Sequence, residues 1–366
     1  MKFINKKSIF PLLILGLVSS CQKSSNTPIP IEPVIPTQEV SVIVLLGDGM
    51  GIPQITASWH EHDFLNLQRF PYTGLTLTHT VDKIITESGA GSTALFTGVK
   101  TKYGYQGMGP QGQNLESLYN YLKQEDYLTG IISTSFLTDA TLAALYRHGN
   151  DRYDYENIAF DYSHHYADFT IAGGQDHFDN RSDQINLIDS LKSQGVQIFY
   201  GNDAISGVQH LPSIGFMDPL RPPYILDGRA DFLKNGSLKA LDLFKNEPFF
   251  LFIEGALVDL AGHDESIENQ VSETLEFDEV AGLMLDYAEQ NENVLIVVVS
   301  DHESGALTLL QGDGMNYIPN YAIDEHSGGM VPVFAYGPGA ENFTGMMDNS
   351  DIYYKIKNII DQNLSK

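Results

Sequence analysis

The chain has 366 residues, 42% of them hydrophobic, enough for one large α/β domain or two smaller ones. Its 47 Asp and Glu against 21 Lys and Arg leave a net charge of −26, which argues against a nucleic-acid partner because phosphate backbones are neutralised by Lys and Arg. The acidity reads instead as a solvated surface. Cys21 is the single cysteine, so no intramolecular disulfide can form.

Lys2, Lys6 and Lys7 precede the apolar run IFPLLILGLV, which is too short to span a membrane and has the form of a secretory signal. Ser19 and Ser20 before Cys21 resemble the bacterial lipobox, in which the cysteine is acylated and becomes the mature N-terminus; an ordinary signal peptide with a chance cysteine is the alternative. Residues 1–21 are therefore expected to be a lipoprotein signal peptide. Residues 22–39, with Pro28, Pro30, Pro33 and Pro36, form a tether that in polyproline II could reach about 50 Å. The expected location is an exported lipoprotein, held by lipid at Cys21 to a bacterial membrane on its periplasmic or cell-surface side.

From residue 40 on, strand-like runs alternate with helical stretches. The runs VSVIVLLG (40–47), LTGIISTS (128–135), PFFLFIEG (248–255), VLIVVVS (294–300) and MVPVFAYG (330–337) read as buried strands. Asn114–Gln124 and Ser266–Gln290 read as helices, the second with Ile267, Val271 and Leu275 at four-residue steps. This alternation predicts an α/β fold with a mainly parallel central sheet flanked by helices. Residues 175–247 look less regular and are expected to be a peripheral extension of the 40–366 domain.

Four of these runs deliver acidic residues at or just beyond their carboxyl ends: Asp48, Asp139, Glu254 and Asp301, the last followed by His302. Each alone could be a turn residue or a helix cap. Together they mark the sheet edge where open α/β folds bind ligands. In EGALVDLAGHDE, Asp259 and His263 are four apart and would share one helix face, a reasonable but weak zinc pair.

The ordered motifs LLGDGMG, TESGAGSTALFTGVKT, TDATLAALYRHGNDR, EGALVDLAGH, SDHESG and EHSGGMVPVFAYGPG resemble those of the alkaline phosphatase family. The resemblance spans residues 40 to about 345 and is poor over 175–247. It implies an alkaline-phosphatase-like fold, a serine nucleophile, two zinc ions and one magnesium. Carried over residue by residue, it implies that Ser88 attacks, with Ser92 and Thr93 as rival hydroxyls. Arg152 would bind phosphate, with Arg147 a near decoy. Asp259, His263 and His326 would hold one zinc; Asp48, Asp301 and His302 the other. Asp48 would also touch the magnesium, together with Thr141, Glu254 and, through water, Asp139. Three dications carry +6 and the five carboxylates −5, so a phosphate dianion would meet a net +1 before the nucleophile ionises.

Three residues depart from the family pattern. Glu87 stands where an Asp usually precedes the nucleophile, and its extra methylene is expected to loosen the hold on Arg152. Leu260 and Gly262 stand where relatives often carry Lys, His, Trp or Asp, which puts magnesium occupancy and product release in question. Only 23 residues separate His302 from His326, where larger relatives place a dimer-forming insertion, so the usual homodimer is left open. The function implied is phosphate monoester hydrolysis through a phosphoserine, for phosphate scavenging, on small phosphate monoesters. The alternatives are a phosphodiesterase or sulfatase of the same superfamily, or a non-catalytic tethered phosphate- or metal-binding lipoprotein. A sulfatase lacks support because the Cys/Ser-x-Pro-x-Arg nucleophile motif is absent.

Overall fold

A computed structural model describes residues 39–364. The expected signal peptide, Cys21 and all but the last residue of the tether lie outside the described residues. The strands, in chain order, are β1 (Ser41–Gly47), β2 (Tyr72–Leu77), β3 (Leu128–Phe136), β4 (Phe169–Gly173), β5 (Gln197–Tyr200), β6 (Ser213–Phe216) and β7 (Phe249–Gly255). They continue with β8 (Val294–Val299), β9 (Glu303–Ser304), β10 (Thr308–Gln311), β11 (Tyr317–Asn320), β12 (His326–Ser327), β13 (Val331–Tyr336) and β14 (Gly345–Asp348). Ten of them make one sheet in the order β14-β2-β13-β8-β1-β7-β3-β4-β6-β5, and β10-β11 and β12-β9 form two-stranded ribbons. Within the large sheet every pairing is parallel except those of β13 with β8 and β2.

The central strands β1 and β8 are buried at every position, as continuous apolar runs must be when helices cover both faces of a parallel sheet. Alternation of side chains divides their residues between two cores. Val42, Val44, Leu46 and Val297 meet the helices Ser88–Thr97, Ala140–Tyr146 and Asp351–Leu364 on one face. Ile43, Leu45, Val298 and Ile253 meet Phe232–Phe244 and Ile267–Glu289 on the other. Burial of each such side chain stabilises the sheet by about 1.5–3 kcal/mol, which fixes the register of the strands and so the places where they end.

The five expected strands and both expected helices are present, with ends at most four residues from those read in the sequence. Residues 175–247 differ from expectation. They hold more regular structure than the sequence suggests: β6 and β5 extend the sheet in parallel from β4 to its edge, and the helix Phe232–Phe244 packs on one face. These strands have four residues each, too few for a periodic pattern to stand out.

Candidate active site

The strands β8, β1, β7 and β3 are consecutive in the sheet, and they are the four that deliver the acidic residues. In register, Leu46 lies between Glu254 and Val299, and Ser133 lies beside Glu254. Asp48, Glu254, Asp301 and His302 are therefore brought to one edge and are buried there. Gly49 permits the turn after β1: its φ is +68°, and a Cβ would stand 2.8 Å from Asp259 Cα. Its N–H donates to Asp301 Oδ1 at 3.3 Å.

Asp259, His263 and His326 form one cluster of potential ligands, and Asp48, Asp259 and His302 a second. Asp259 lies between them, with His263 Nε2 3.3 Å from its Oδ2 and His326 Nε2 3.4 Å from its Oδ1. His302 Nε2 is 3.4 Å from Asp48 Oδ1 and 3.2 Å from Asp301 Oδ2. The outer nitrogens are oriented by backbone carbonyls: His263 Nδ1 is 2.5 Å from Asp324 O, and His326 Nδ1 3.1 Å from Thr86 O. His263 and His326 thus turn the same nitrogen, Nε2, toward each other at 3.1 Å. Thr141 Oγ1 donates to Asp48 Oδ2 at 3.2 Å, and Ser133 Oγ to Glu254 Oε2 at 2.5 Å. Asp139 caps the helix Ala140–Tyr146 through Ala140 N at 2.7 Å and accepts from Ser135 Oγ.

Five buried atoms of this edge make no hydrogen bond: Asp48 Oδ1, Glu254 Oε1, Asp259 Oδ1, Asp301 Oδ2 and His302 Nδ1. Buried polar atoms without hydrogen bonds are costly, and so many at one place are what a dication would satisfy. The donor set fits: imidazole nitrogen and carboxylate oxygen for zinc, carboxylate and hydroxyl oxygen for magnesium. The electrostatics agree. Burial, then Asp301 and Asp259, push Asp48 well above the usual carboxylate range. Burial, then Asp139, push Glu254 up to about 8; burial, then Asp259, push Asp301 up to about 7. Burial, then His326, hold His302 well below the usual imidazole range, which keeps it neutral and able to ligate. Burial works to raise Asp259 too, but His326 and the bond with His263 hold it well below its usual range, and Asp259 in turn lifts His263 to about 9.

Ser88 begins the helix Ser88–Thr97, and its Oγ lies 3.4 Å from His302 Nε2. The rival hydroxyls stand elsewhere. Thr93 Oγ1 is engaged with the carbonyls of Gly89 and Tyr105 and with Gly107 N–H, and Ser92 is fully buried within the core. Glu87 is the cap of this helix, accepting from Gly89 N at 2.8 Å and Ala90 N at 2.7 Å. It also accepts from Gly104 N at 2.9 Å and from Arg152 Nη1 at 2.5 Å. The extra methylene expected to loosen Arg152 instead lets one carboxylate reach all four donors. Arg147 is turned away to Asp154, 3.1 Å from its Oδ2.

Gln54, Ser304 and Ser327 support the site without having been singled out in the sequence, whereas Glu303, next to the Asp301–His302 pair, read there as a structural neighbour of the ligands. Gln54 Nε2 donates to Glu303 Oε1 and to Ser304 O, both at 2.8 Å. Glu303 also accepts from Leu307 N at 3.0 Å and from Ser327 Oγ, tying the Asp301–His302 turn to the His326 strand. Ser304 Oγ donates to Asp259 O at 3.0 Å. Gly262 sits against this last bond: a Cβ there would stand 2.3 Å from Ser304 Oγ.

A family model described as alkaline phosphatase matches residues 40–321. The chain belongs to the alkaline phosphatase family. It is similar to alkaline phosphatase 4 of Bacillus subtilis, at 28% identity over 86% of this chain and 88% of that one. It is also similar to the alkaline phosphatase of Escherichia coli, at 27% identity over 87% and 85%. Among solved structures, the alkaline phosphatase of the Antarctic bacterium TAB5 superposes with a TM-score of 0.86 at 30% identity, covering 89% of this chain and 99% of that one. The fold is thus that of alkaline phosphatases, and the family and fold support hydrolysis of phosphate monoesters.

Proposed function

We propose that this alkaline phosphatase works through a phosphoserine at Ser88, with dications held by Asp48, Thr141, Glu254, Asp259, His263, Asp301, His302 and His326, and Asp139 acting through water. The observation that carries this reading is the pairing of Ser88 Oγ, 3.4 Å from His302 Nε2, with a guanidinium fixed to the residue that caps the same helix. Ser88 offers its oxygen at a helix N-terminus, whose dipole favours an incoming anion even though Glu87 already takes the Gly89 and Ala90 N–H groups. Arg152 presents a planar fork to the nonbridging oxygens. Dications held by these residues would neutralise charge and would lower the proton affinity of the serine hydroxyl and of a water molecule beside it. Two zincs and one magnesium suit the two histidine clusters and the Asp48–Thr141–Glu254 group. Variants of the TAB5 enzyme carry Mg in a site called M3, which supports the magnesium assignment by similarity.

The test is a Ser88→Ala variant loaded with metal. It should form no acid-stable phosphoenzyme while keeping its zinc and magnesium content, and Ser92→Ala should behave as wild type. Near wild-type turnover in Ser88→Ala together with its loss in Ser92→Ala would place the nucleophile at the wrong hydroxyl.

We further propose that Cys21 carries a lipid anchor on an exported lipoprotein and that the activity serves phosphate scavenging. Among the described residues no helix is long and apolar enough to cross a membrane, so attachment would rest on the N-terminus. Cys21→Ser should move the protein from the membrane fraction to the soluble one without loss of turnover. Persistent membrane association in that variant refutes the anchor.

A further inference from the structure

Residues 175–229 lie in the stretch where the resemblance to the family's motifs is poor, yet they reach the sheet edge that holds the site. Helix Asp176–Asp179 and the segment that follows β6 are locked together, with Gly174 N donating to Asp218 O at 3.0 Å and Asp176 N to Pro219 O at 2.9 Å. Residues 218–229 then run as a strap past the carboxyl end of β4. The approach is close: a Cβ at Gly173 would stand 2.3 Å from Leu220 O. Beyond it, Tyr224 OH donates to Asp264 Oδ2 at 2.8 Å, next to His263, and Arg229 is clamped by Glu273 at 2.6 Å. The strap is thus pinned at both ends, with Arg221 between the pins.

The Arg221 guanidinium lies 5.3 Å over the ring of Phe136, the last residue of β3. Phe136 O accepts from Asp139 N at 2.9 Å, so this ring stands at the start of the turn that carries Asp139. The Phe136 ring meets Tyr155 edge-on at 5.2 Å, and Tyr155 stacks on His177 at 4.8 Å. Tyr155 also meets Tyr153, whose ring lies 5.8 Å from the Arg152 guanidinium. The Tyr155 hydroxyl lies in the fields of Asp139, Arg152 and Arg221 alike. One aromatic shelf therefore joins the proposed phosphate-binding arginine to a second one.

The pairing of that second arginine differs from that of the other arginines of this chain. Arg69, Arg147, Arg152, Arg181 and Arg229 are each ion-paired with a carboxylate. Arg221 is the remaining one of the six arginines, is exposed, and alone among them makes no ion pair among the described residues. In a protein of net charge −26, an unpaired cation held on an aromatic face beside the active site is available to an external anion.

We propose that Arg221 is a specificity-determining residue that reads a second negative charge, a carboxylate or a further phosphate, on the leaving group of the monoester. This rests on the reading that Arg152 and Ser88 hold and attack the transferred phosphoryl group. Arg221 touches neither of them and takes no part in the chemistry; its effect is on which esters are captured.

The experiment compares substrates that differ in leaving-group charge, glycerol 3-phosphate with 3-phosphoglycerate and fructose 6-phosphate with fructose 1,6-bisphosphate, on the metal-loaded enzyme. In Arg221→Gln, kcat/KM for the charged member of at least one pair should fall roughly three- to tenfold, mostly through KM, the scale of one partly exposed charge-assisted contact. The uncharged members should stay within about twofold. Arg221→Glu should widen the loss, Arg221→Lys should restore part of it, and added salt should erode the wild-type preference. Equal losses within both pairs, or no change in either, would overturn the proposal while leaving the nucleophile and metal assignments standing. Failure of the wild type to turn over any of the four esters would overturn the underlying reading and this inference with it.

Discussion

Glu87 and Arg152 are 65 positions apart in sequence, yet the Arg152 Nη1 rests 2.5 Å from a Glu87 oxygen while the same carboxylate caps the helix that starts with Ser88. Placement of the nucleophile and of the phosphate-binding fork is thereby one structural event. Glu87→Gln should uncouple them. The neutral amide keeps one accepting oxygen and turns an NH2 toward N–H donors. We expect monoester kcat/KM to fall about tenfold or more and stability to fall by roughly 1–3 kcal/mol. Glu87→Asp, shorter by one methylene, should lose the contact to Gly104 or Arg152 first and be milder. Kinetics and denaturant melts on both variants check this, and full activity in Glu87→Gln would dissociate the cap from the arginine.

Metal removal should cost stability as well as activity. Asp48, Glu254 and Asp301 are fully or almost fully buried and converge at one edge. Without dications their charges face one another, and Asp48 Oδ1, Glu254 Oε1 and Asp301 Oδ2 make no hydrogen bond. A ligand bound only by the native state at about a thousand times its Kd adds roughly 4 kcal/mol. Exhaustive chelation should lower the melting temperature markedly, and re-addition of zinc and magnesium should restore it. An unchanged melt after metal has been shown to leave would count against these residues as ligands.

The Asp301–His302 pair alone could have been a turn; its place at the sheet edge was legible because four apolar runs deliver acidic residues at their carboxyl ends and the motif order resembles one family. Asp48 and Glu254 were legible for the same reason, since parallel strands place their carboxyl ends together. Glu87 was misjudged. The sequence displays one added methylene but not Gly104 N–H and Arg152 waiting at the distance that methylene spans. Gly262 reads in sequence as a missing functional side chain, whereas in the fold its place is filled by Ser304 Oγ. The strap bearing Arg221 was opaque because β5 and β6 are short, and proline-rich segments carry no hydrophobic period to read.

Gly262 yields its own test. A Cβ at this position would stand 2.3 Å from Ser304 Oγ and 2.8 Å from Gln270 Nε2. Gly262→Asp should therefore not simply add a ligand. It should force Ser304 off the Asp259 carbonyl, cost about 1–3 kcal/mol as overpacked cores do, and weaken metal binding at the Asp259–His263–His326 cluster. Thermal melts and zinc titration check both effects, and a stable variant with tighter zinc would contradict the packing argument.

A pH dependence should arise far from the metals. Glu273 and Glu276 share the buried Arg229 guanidinium. Burial outweighs the attraction of Arg229, and with Glu273 beside it Glu276 is pushed up to about 7 from 4.5. A raised carboxyl favours the protonated form in the folded state. Its contribution is full below about pH 4.5 and is lost as pH rises through about 7. Stability should thus decline between pH 5 and 8, by on the order of 1–3 kcal/mol from this group. Glu276→Gln removes the ionisation while Glu273 keeps its bidentate hold on Arg229, so its stability should be flatter over that range. Equal slopes in the two proteins would assign the pH dependence elsewhere.

Arg152 should separate monoesters from diesters. A monoester presents free nonbridging oxygens carrying two charges, whereas in a diester one of those oxygens is alkylated and a single charge remains. The fork can make two charge-assisted bonds to the first and fewer good ones to the second, each such bond being worth about 1.5–3 kcal/mol. Arg152→Ala should therefore lower monoester kcat/KM roughly ten- to a hundredfold and diester hydrolysis by much less. The variant should still fold, because Glu87 retains the N–H groups of Gly89, Ala90 and Gly104. Metal content should be unchanged, since no proposed ligand hydrogen-bonds to Arg152. Arg152→Lys should recover only part of the loss, as a point charge at the end of a flexible stem cannot reproduce the planar fork and competes for Glu87 from fewer directions. Matched aryl mono- and diesters on the three proteins decide the matter. A proportional loss on both substrates would mean that Arg152 acts through the cap at Glu87 and the placement of Ser88, not through the nonbridging oxygens.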